Sequence, residues 1–138
     1  MWNTSPSSKI GLYRVHRLSL LKRGDTVIAF APSAARRLAA ERHYLPYDVP
    51  LVKVVAAVAG DRVCAYGSKV FINGTLVAKR LPHDAAGRSL PWWSGCETLA
   101  EGNAFLLSAA GPLAFDARYF GVSRTSELIG KADLVWEK

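Results

Sequence analysis

The sequence between residues 51 and 79 reads LVKVVAAVAGDRVCAYGSKVFINGTLVAK and contains the strongest structural signals in the chain. Leu51–Ala59 is nearly continuous in apolar residues, which is typical of a strand buried on both faces. Gly60-Asp61 then predicts a turn. The segments Arg62–Tyr66, Lys69–Ile72 and Thr75–Lys79 follow as three short strands. This stretch therefore predicts an antiparallel meander attached to a buried strand.

The flanking segments extend the same pattern. Asn73-Gly74 is the strongest hairpin signal in the chain. Lys22–Asp25 reads as a turn, because it contains Gly24 beside an aspartate. Four further segments have the apolar or alternating character of strands: Leu12–Leu18, Thr26–Ala31, Ala104–Ser108 and Leu128–Trp136.

One helix interrupts the strands. Ser33–His43 is rich in Ala, Leu, Arg and Glu, and Ser33 is a suitable N-cap. Phe115–Phe120 predicts only a short helical turn, and residues 81–103, which contain several Pro and Gly, read as a long loop. We therefore predict a mainly β, antiparallel fold with one inserted helix.

Composition restricts the class of protein. The chain has 138 residues, of which 50% are hydrophobic and 21% are charged, so it is globular rather than disordered. No apolar run reaches about 18 residues, the length that predicts a membrane-spanning helix. The net charge of +7 suits nucleic acid, anionic lipid, an acidic partner or simply a solvated surface. No nucleic-acid-binding motif supports the first of these.

The two cysteines, Cys64 and Cys96, are compatible with one disulfide or with two core thiols. Their separation fits no metal-binding motif. The histidines also lack ligand spacing, so no metal or cofactor is expected.

Lys53 stands out because it is a charged residue in the most apolar segment. Burial of an ammonium group is costly unless it is paired or loses its proton. Desolvation lowers the lysine pKa from about 10.4 towards neutrality, which makes the amine a usable base. The alternative is that Lys53 lies on an edge strand and extends to water.

A base requires a nucleophile, and Ser7 is the candidate because of the motif around it. Alone, the Ser- and Thr-rich segment Asn3–Ser8 would suggest a frayed terminus. However, Ser7 is followed at a spacing of four by Gly11-Leu12-Tyr13. Later in the chain comes the apolar strand that carries Lys53. It is followed by Ala59–Val63, which reads Ala-Gly-Asp-Arg-Val.

This order of motifs resembles the signal peptidase I superfamily, and in particular the TraF-type conjugative transfer peptidases. The likeness runs from about Asn3 to the C-terminus. Four further segments contribute to it: Val70–Gly74, Gly87–Trp92, Phe105–Ser108 and Phe115–Gly121. The resemblance implies the antiparallel β fold of signal peptidases and LexA-like repressors.

The resemblance also implies roles for individual residues. Ser7 matches the nucleophile and Lys53 the general base of a Ser–Lys dyad. Ser5 matches the hydroxyl that forms an oxyanion hole with the N–H of Ser7. Asp116 and Arg118 match an Asp-x-Arg box that supports the site, although a purely structural ion pair explains them equally well.

Three positions depart from the family pattern. Lys9 replaces the usual Pro two residues after the nucleophile. Ala114 and Ala117 stand where Ser is common. Because a hydroxyl at position 114 is thought to orient the lysine amine in signal peptidases, the group that orients Lys53 is left unidentified.

Family members carry a membrane anchor just before the nucleophile. The resemblance therefore implies that an anchor has been removed and that residues 1–138 are a single periplasmic catalytic domain at the bacterial inner membrane. This location favours a disulfide between Cys64 and Cys96. It also gives the basic surface a partner in anionic lipid head groups.

The implied activity is that of a serine endopeptidase which processes a pilin precursor through an acyl-enzyme, with water or an amine resolving the ester. Resolution by the amino terminus of the pilin would give a cyclic peptide. Other transfer proteins are further potential partners, and neither nucleic acid nor a cofactor is expected. The alternatives are a general signal peptidase, a self-cleaving repressor-type domain and a non-catalytic module of the transfer apparatus.

Overall fold

The structure, a computed structural model, describes residues 2–3, 11–16, 21–108 and 114–137, with side chains for 21–108 and 114–132. Its helices are α1 (Ser33–Glu41) and α2 (Ala117–Phe120), and Thr125–Glu127 is a 3-10 turn. The strands are, in chain order, β1 (Trp2–Asn3), β2 (Gly11–His16), β3 (Thr26–Ala29), β4 (Leu51–Ala57), β5 (Arg62–Tyr66), β6 (Lys69–Ile72), β7 (Thr75–Lys79), β8 (Gly95–Thr98), β9 (Phe105–Leu107) and β10 (Leu128–Glu137).

These strands form two antiparallel sheets in the described part of the chain. The larger has the order β1-β2-β10-β3-β4-β9 and the smaller the order β7-β6-β5-β8. Strand β4 lies inside the larger sheet, where Val27 of β3 is opposite Lys53 and Leu107 of β9 is opposite Val54. The mainly β, antiparallel class predicted from sequence is confirmed.

The sheets meet in one apolar cluster. Val63 and Val70 of the smaller sheet pack with Ala57 and Phe105 of the larger sheet and with Ala117 of α2. Each of these side chains is fully buried. Burial of this kind contributes about 25 cal/mol per Å² of apolar surface. The cluster therefore fixes the segment around Ala117 against β9, beside β4.

Most predicted elements are confirmed in the residues that the structure describes. The meander strands β5, β6 and β7 have the predicted bounds. Asn73 and Gly74 adopt φ values of 50° and 83°, as a tight hairpin turn requires. The predicted helical turn contains α2.

Three details were wrong. Residues 81–103 are not entirely a loop, because β8 pairs with β5 inside this range. The N-cap of α1 is Pro32, and no side chain caps the helix there, so Ser33 is its first residue and not its cap. The helix ends at Glu41, before His43, whose φ of 60° is left-handed.

Candidate active site

Lys53 is buried in β4, an inner strand of the larger sheet. Its side chain is 1% exposed, and its strand lies between β3 and β9. The alternative that Lys53 extends to water from an edge strand is therefore wrong. Because burial penalises the charged form, the pKa of Lys53 falls from 10.5 to about 8. At this pKa, about one-tenth of the amines are uncharged at pH 7.

Two charges of the 114–120 segment act on Lys53 with opposite signs. The carboxylate of Asp116 raises the pKa of Lys53, whereas the guanidinium of Arg118 lowers it. Since these effects oppose each other, desolvation decides the direction of the shift. The geometry therefore produces a lysine that gives up its proton more readily than one in water.

Asp116 and Arg118 form a buried, bidentate ion pair. Nε and Nη2 of Arg118 donate to the two carboxylate oxygens of Asp116 at 2.8 and 3.0 Å. The carboxylate also accepts the backbone N–H of Ser108 at 2.9 Å and that of Arg118 at 3.1 Å, the latter bond capping α2. Nη1 of Arg118 donates to the carbonyl of Lys79 at 3.0 Å. The pair therefore links β9, α2 and the end of β7.

Arg80 is a buried residue that sequence reasoning did not identify. Its guanidinium donates to the backbone carbonyls of Gly67, Arg118 and Trp93 at 2.8, 3.1 and 2.7 Å. It also lies 4.5 Å from the ring centroid of Trp92. Burial lowers the pKa of Arg80. Arg80 therefore ties the backbone at Gly67 and at Trp93 to that of Arg118, the residue that pairs with Asp116.

Ala114 is buried and carries only a methyl group, at the position where the resemblance led us to expect a hydroxyl. The following residue, Phe115, stacks on Tyr119 with a centroid distance of 6.0 Å and an interplanar angle of 8°. It also packs against Tyr44 and Phe120. Aromatic packing thus holds the chain just before Asp116 in place.

A groove of about 570 Å³ opens beside this segment, and we call it the α1 groove. Helix α1 and residues 44–49 form one wall, residues 81–90 form the other, and Leu51 and Phe115 lie between them. The hydroxyl of Tyr44 donates to Asp84 at 2.6 Å, which joins the walls. Sequence reasoning missed this groove, because its parts are far apart in the chain.

The cysteines form a disulfide. Cys64 of β5 lies opposite Cys96 of β8, and their Cα atoms are 4.1 Å apart. The expectation of a bridge is confirmed. It stands in the smaller sheet, whereas Lys53 stands in the larger one.

Ser5, Ser7 and Lys9 lie outside the described residues, so their assigned roles stay predictions. The described strands nearest to them in the chain are β1 and β2, which pair with Asn3 opposite Gly11. Among the described residues, no group of His, Cys, Asp or Glu side chains could hold a metal ion. In the same part of the chain, no helix is long and apolar enough to cross a membrane.

Comparison with known proteins shows the family. The family model described as signal peptidase, peptidase S26, matches residues 1–137. Plasmid transfer protein TraF of Escherichia coli is 32% identical over 142 residues, covering 92% of this chain and 77% of that protein. Conjugal transfer protein TraF of Agrobacterium fabrum is 32% identical over 140 residues, covering 94% of this chain and 78% of that protein.

A solved structure, that of a signal peptidase I from Enterococcus faecalis V583, is similar with a TM-score of 0.46 and 16% identity, covering 83% of this chain and 97% of that chain. From the family match and the sequence relatives, the chain belongs to the signal peptidase family, peptidase S26, as a relative of the TraF conjugal transfer proteins.

Proposed function

We propose that this protein is a serine peptidase in which Lys53 is the general base for Ser7, and that it processes a pilin precursor during conjugation. Its family establishes a peptidase connected with conjugal transfer; the dyad and the substrate are the proposed part. The observation that carries the proposal is Lys53, 1% exposed and with a pKa of about 8. A lysine in this state supplies a base near neutral pH.

The proposed reaction has two stages. The uncharged amine of Lys53 takes the hydroxyl proton of Ser7, and the Ser7 oxygen attacks the scissile carbonyl carbon. The N–H of Ser7 and the hydroxyl of Ser5 donate to the resulting oxyanion, each such donor lowering the barrier by about 2.7–4 kcal/mol. The Lys53 ammonium then protonates the leaving amine. Water or an amine finally attacks the ester and releases Ser7.

Asp116 and Arg118 have a supporting role for the proposed base. Asp116 raises the pKa of Lys53 and Arg118 lowers it, so the pair fixes the neighbouring backbone while its two charges act on the amine in opposite directions. Ala117, a departure from the family pattern, packs in the core between the sheets.

The proposed setting is the bacterial inner membrane, with residues 1–138 as one catalytic domain in the periplasm behind an N-terminal anchor. The disulfide supports this setting, because such bonds persist in oxidising compartments. The relatives that are conjugal transfer proteins support association with the cell envelope. The net charge of +7 suits contact with anionic lipid.

The test is to incubate the pilin precursor of the same transfer system with the enzyme and to follow the intact mass of the product. Ser7→Ala should abolish processing because it removes the nucleophile, and Lys53→Ala because it removes the base. Lys53→Arg should abolish it as well, since arginine cannot lose its proton near neutral pH. Ser8→Ala and Lys69→Ala are the matched controls and should process normally. Processing by Ser7→Ala or Lys53→Ala would refute the dyad.

The same mass spectra distinguish hydrolysis of the acyl-enzyme ester from cyclisation. A cyclic product lacks one water relative to the hydrolysed peptide. A parallel incubation with an unrelated preprotein distinguishes a dedicated pilin peptidase from a general signal peptidase, since only the general enzyme should cleave both substrates.

A further inference from the structure

We propose that the α1 groove binds a bulky apolar side chain of the peptide substrate, at least two residues away from the scissile bond. The inference rests on the proposed peptidase function and adds a determinant of specificity to it.

The groove lies beside the strand and the segment that carry Lys53 and Asp116. Leu51 lines it and lies two residues before Lys53 on the same face of β4, which corresponds to about 7 Å along a strand. Ala114 and Phe115 line it as well, and they directly precede Asp116. An extended peptide that reaches Lys53 also places side chains about 7 Å apart on one face. One such side chain can therefore enter the groove.

The walls are held together by a network centred on Asp84. Its carboxylate accepts the hydroxyl of Tyr44 at 2.6 Å and Nε of Arg88 at 2.8 Å, together with the N–H groups of Ala86 and Arg88 at 2.9 Å each. Arg42 donates to the carbonyl of Ser89 at 2.8 Å. These bonds hold the pKa of Asp84 well below its usual value. The groove is therefore formed before any peptide arrives.

The charged groups of Asp84 and Arg36, which line the α1 groove, are occupied by partners within the protein, so its interior is apolar in character. The Asp84 carboxylate is already occupied by donors from the protein, so it offers little to a cationic substrate group. The guanidinium of Arg36 lies 3.9 Å from the ring centroids of both Phe30 and Tyr47, which covers its faces. The apolar side chains of Leu51, Phe115 and Ala39 also line the groove. Charge complementarity thus favours an uncharged, apolar occupant.

The size of the groove favours a large side chain. About 570 Å³ lies within the range of roughly 300–1,000 Å³ of sites that enclose small ligands. The resemblance to signal peptidases leads us to expect small residues beside the scissile bond. A separate apolar site at a distance of two residues or more would add selectivity for one precursor without altering that requirement.

The test measures peptide binding in a Ser7→Ala background, so that the probe is not consumed. The probes are fluorescein-labelled nonapeptides of Ala, Ser and Gly whose central residue is Phe, Ala or Lys. We expect the Phe peptide to bind about tenfold more tightly than the Ala peptide in fluorescence anisotropy, and the Lys peptide no better than the Ala peptide.

Two substitutions in one exposed loop provide the matched pair. Ala85 lines the groove, whereas its neighbour Ala86 does not. Ala85→Trp should fill the groove and remove the preference for Phe, and Ala86→Trp should retain it. Because both residues are exposed, neither change requires repacking of the core, and thermal unfolding verifies that both variants are folded.

Equal affinity for the Phe and Ala peptides would overturn the inference, as would an equal loss in Ala85→Trp and Ala86→Trp. So would a dimer that dissociates in Ala85→Trp without any peptide preference, because the groove would then belong to a second copy. Labelling of Ser7 by a fluorophosphonate in the unmutated enzyme reports separately on the dyad. Labelling without Phe preference refutes the groove alone, and Phe preference without labelling refutes the dyad alone.

Discussion

Arg118 holds both carboxylate oxygens of Asp116, at 2.8 and 3.0 Å, in the interior of the protein. Asp116 is fully buried and Arg118 is 5% exposed. The two residues shift the pKa of Lys53 in opposite directions. An ion pair that would otherwise serve only structure is thereby coupled to the proposed base.

Removal of either member of the pair should separate its structural role from its effect on the pKa of Lys53. Arg118→Gln and Asp116→Asn should each reduce the free energy of unfolding by about 3–5 kcal/mol, because each leaves an uncompensated buried charge. Arg118→Gln should raise the pKa of Lys53, since it removes the guanidinium that lowers it, and Asp116→Asn should lower that pKa further. Urea unfolding and the pH dependence of activity measure both effects.

The exposed pair Arg124–Glu97 provides the control for these variants. Arg124→Gln should change the stability by less than about 1 kcal/mol and leave the pH profile unchanged. Shifts of the profile in the same direction for Arg118→Gln and Asp116→Asn would contradict the proposed coupling.

Lys53→Met should stabilise the protein at neutral pH while abolishing activity. A folded-state pKa of about 8 against 10.5 corresponds to roughly 3 kcal/mol that the charged lysine costs at pH 7. The unfolded state binds more protons between these two values, so the stability of the unmutated protein should rise with pH through this window. The advantage of Lys53→Met should therefore shrink from pH 7 to pH 10.

Urea unfolding of both proteins at pH 6.5 and 9.5 checks this expectation. Lys69→Met, at an exposed position of β6, is the control and should show no such pH dependence. An advantage of Lys53→Met that is equal at both pH values would contradict the lowered pKa.

Arg80→Met should destabilise the fold and disturb the site indirectly. It removes the charged donors to the carbonyls of Gly67, Trp93 and Arg118. Each such bond contributes about 1.5–3 kcal/mol. Because the cost of burying the guanidinium offsets part of this sum, we expect a net loss of about 3 kcal/mol or more. Thermal unfolding and tryptophan fluorescence measure the change. Arg37→Met, on the exposed side of α1, should have little effect on either.

Replacement of both Cys64 and Cys96 by Ala should lower the stability and leave the proposed catalysis largely intact. The bridge joins residues separated by 32 positions, and closure of a loop of that size is worth roughly 3–4 kcal/mol. Dithiothreitol should reduce the stability of the unmutated protein but not that of the double variant. Loss of activity in a folded double variant would show that the smaller sheet contributes to the site.

The sequence predicts the meander well, because its signals are local. Alternation and the Asn73-Gly74 turn specify β6 and β7 without reference to other segments. Strand β8 was missed, because Gly95–Thr98 is short and half exposed and shows no apolar alternation. Its pairing depends on β5 and on the disulfide, which are distant in sequence.

The candidate site also has parts that local sequence signals reveal and parts that they do not. Lys53 could be singled out because one charge in an apolar run is visible in the sequence itself. Arg80 could not, since its partners are backbone carbonyls, which every residue has. The α1 groove was likewise hidden, because its walls meet only in the folded chain. The two interpretations of Asp116 and Arg118 are compatible, as the pair is structural and also acts on Lys53.

The rate at which a fluorophosphonate labels Ser7, measured from pH 5 to pH 10, tests the central claim most directly. We predict that labelling accelerates as the pH rises through about 8, where Lys53 loses its proton, and that it is abolished in Lys53→Met. Labelling of Lys53→Met at the rate of the unmutated protein, or attachment of the probe to another residue, would contradict the account.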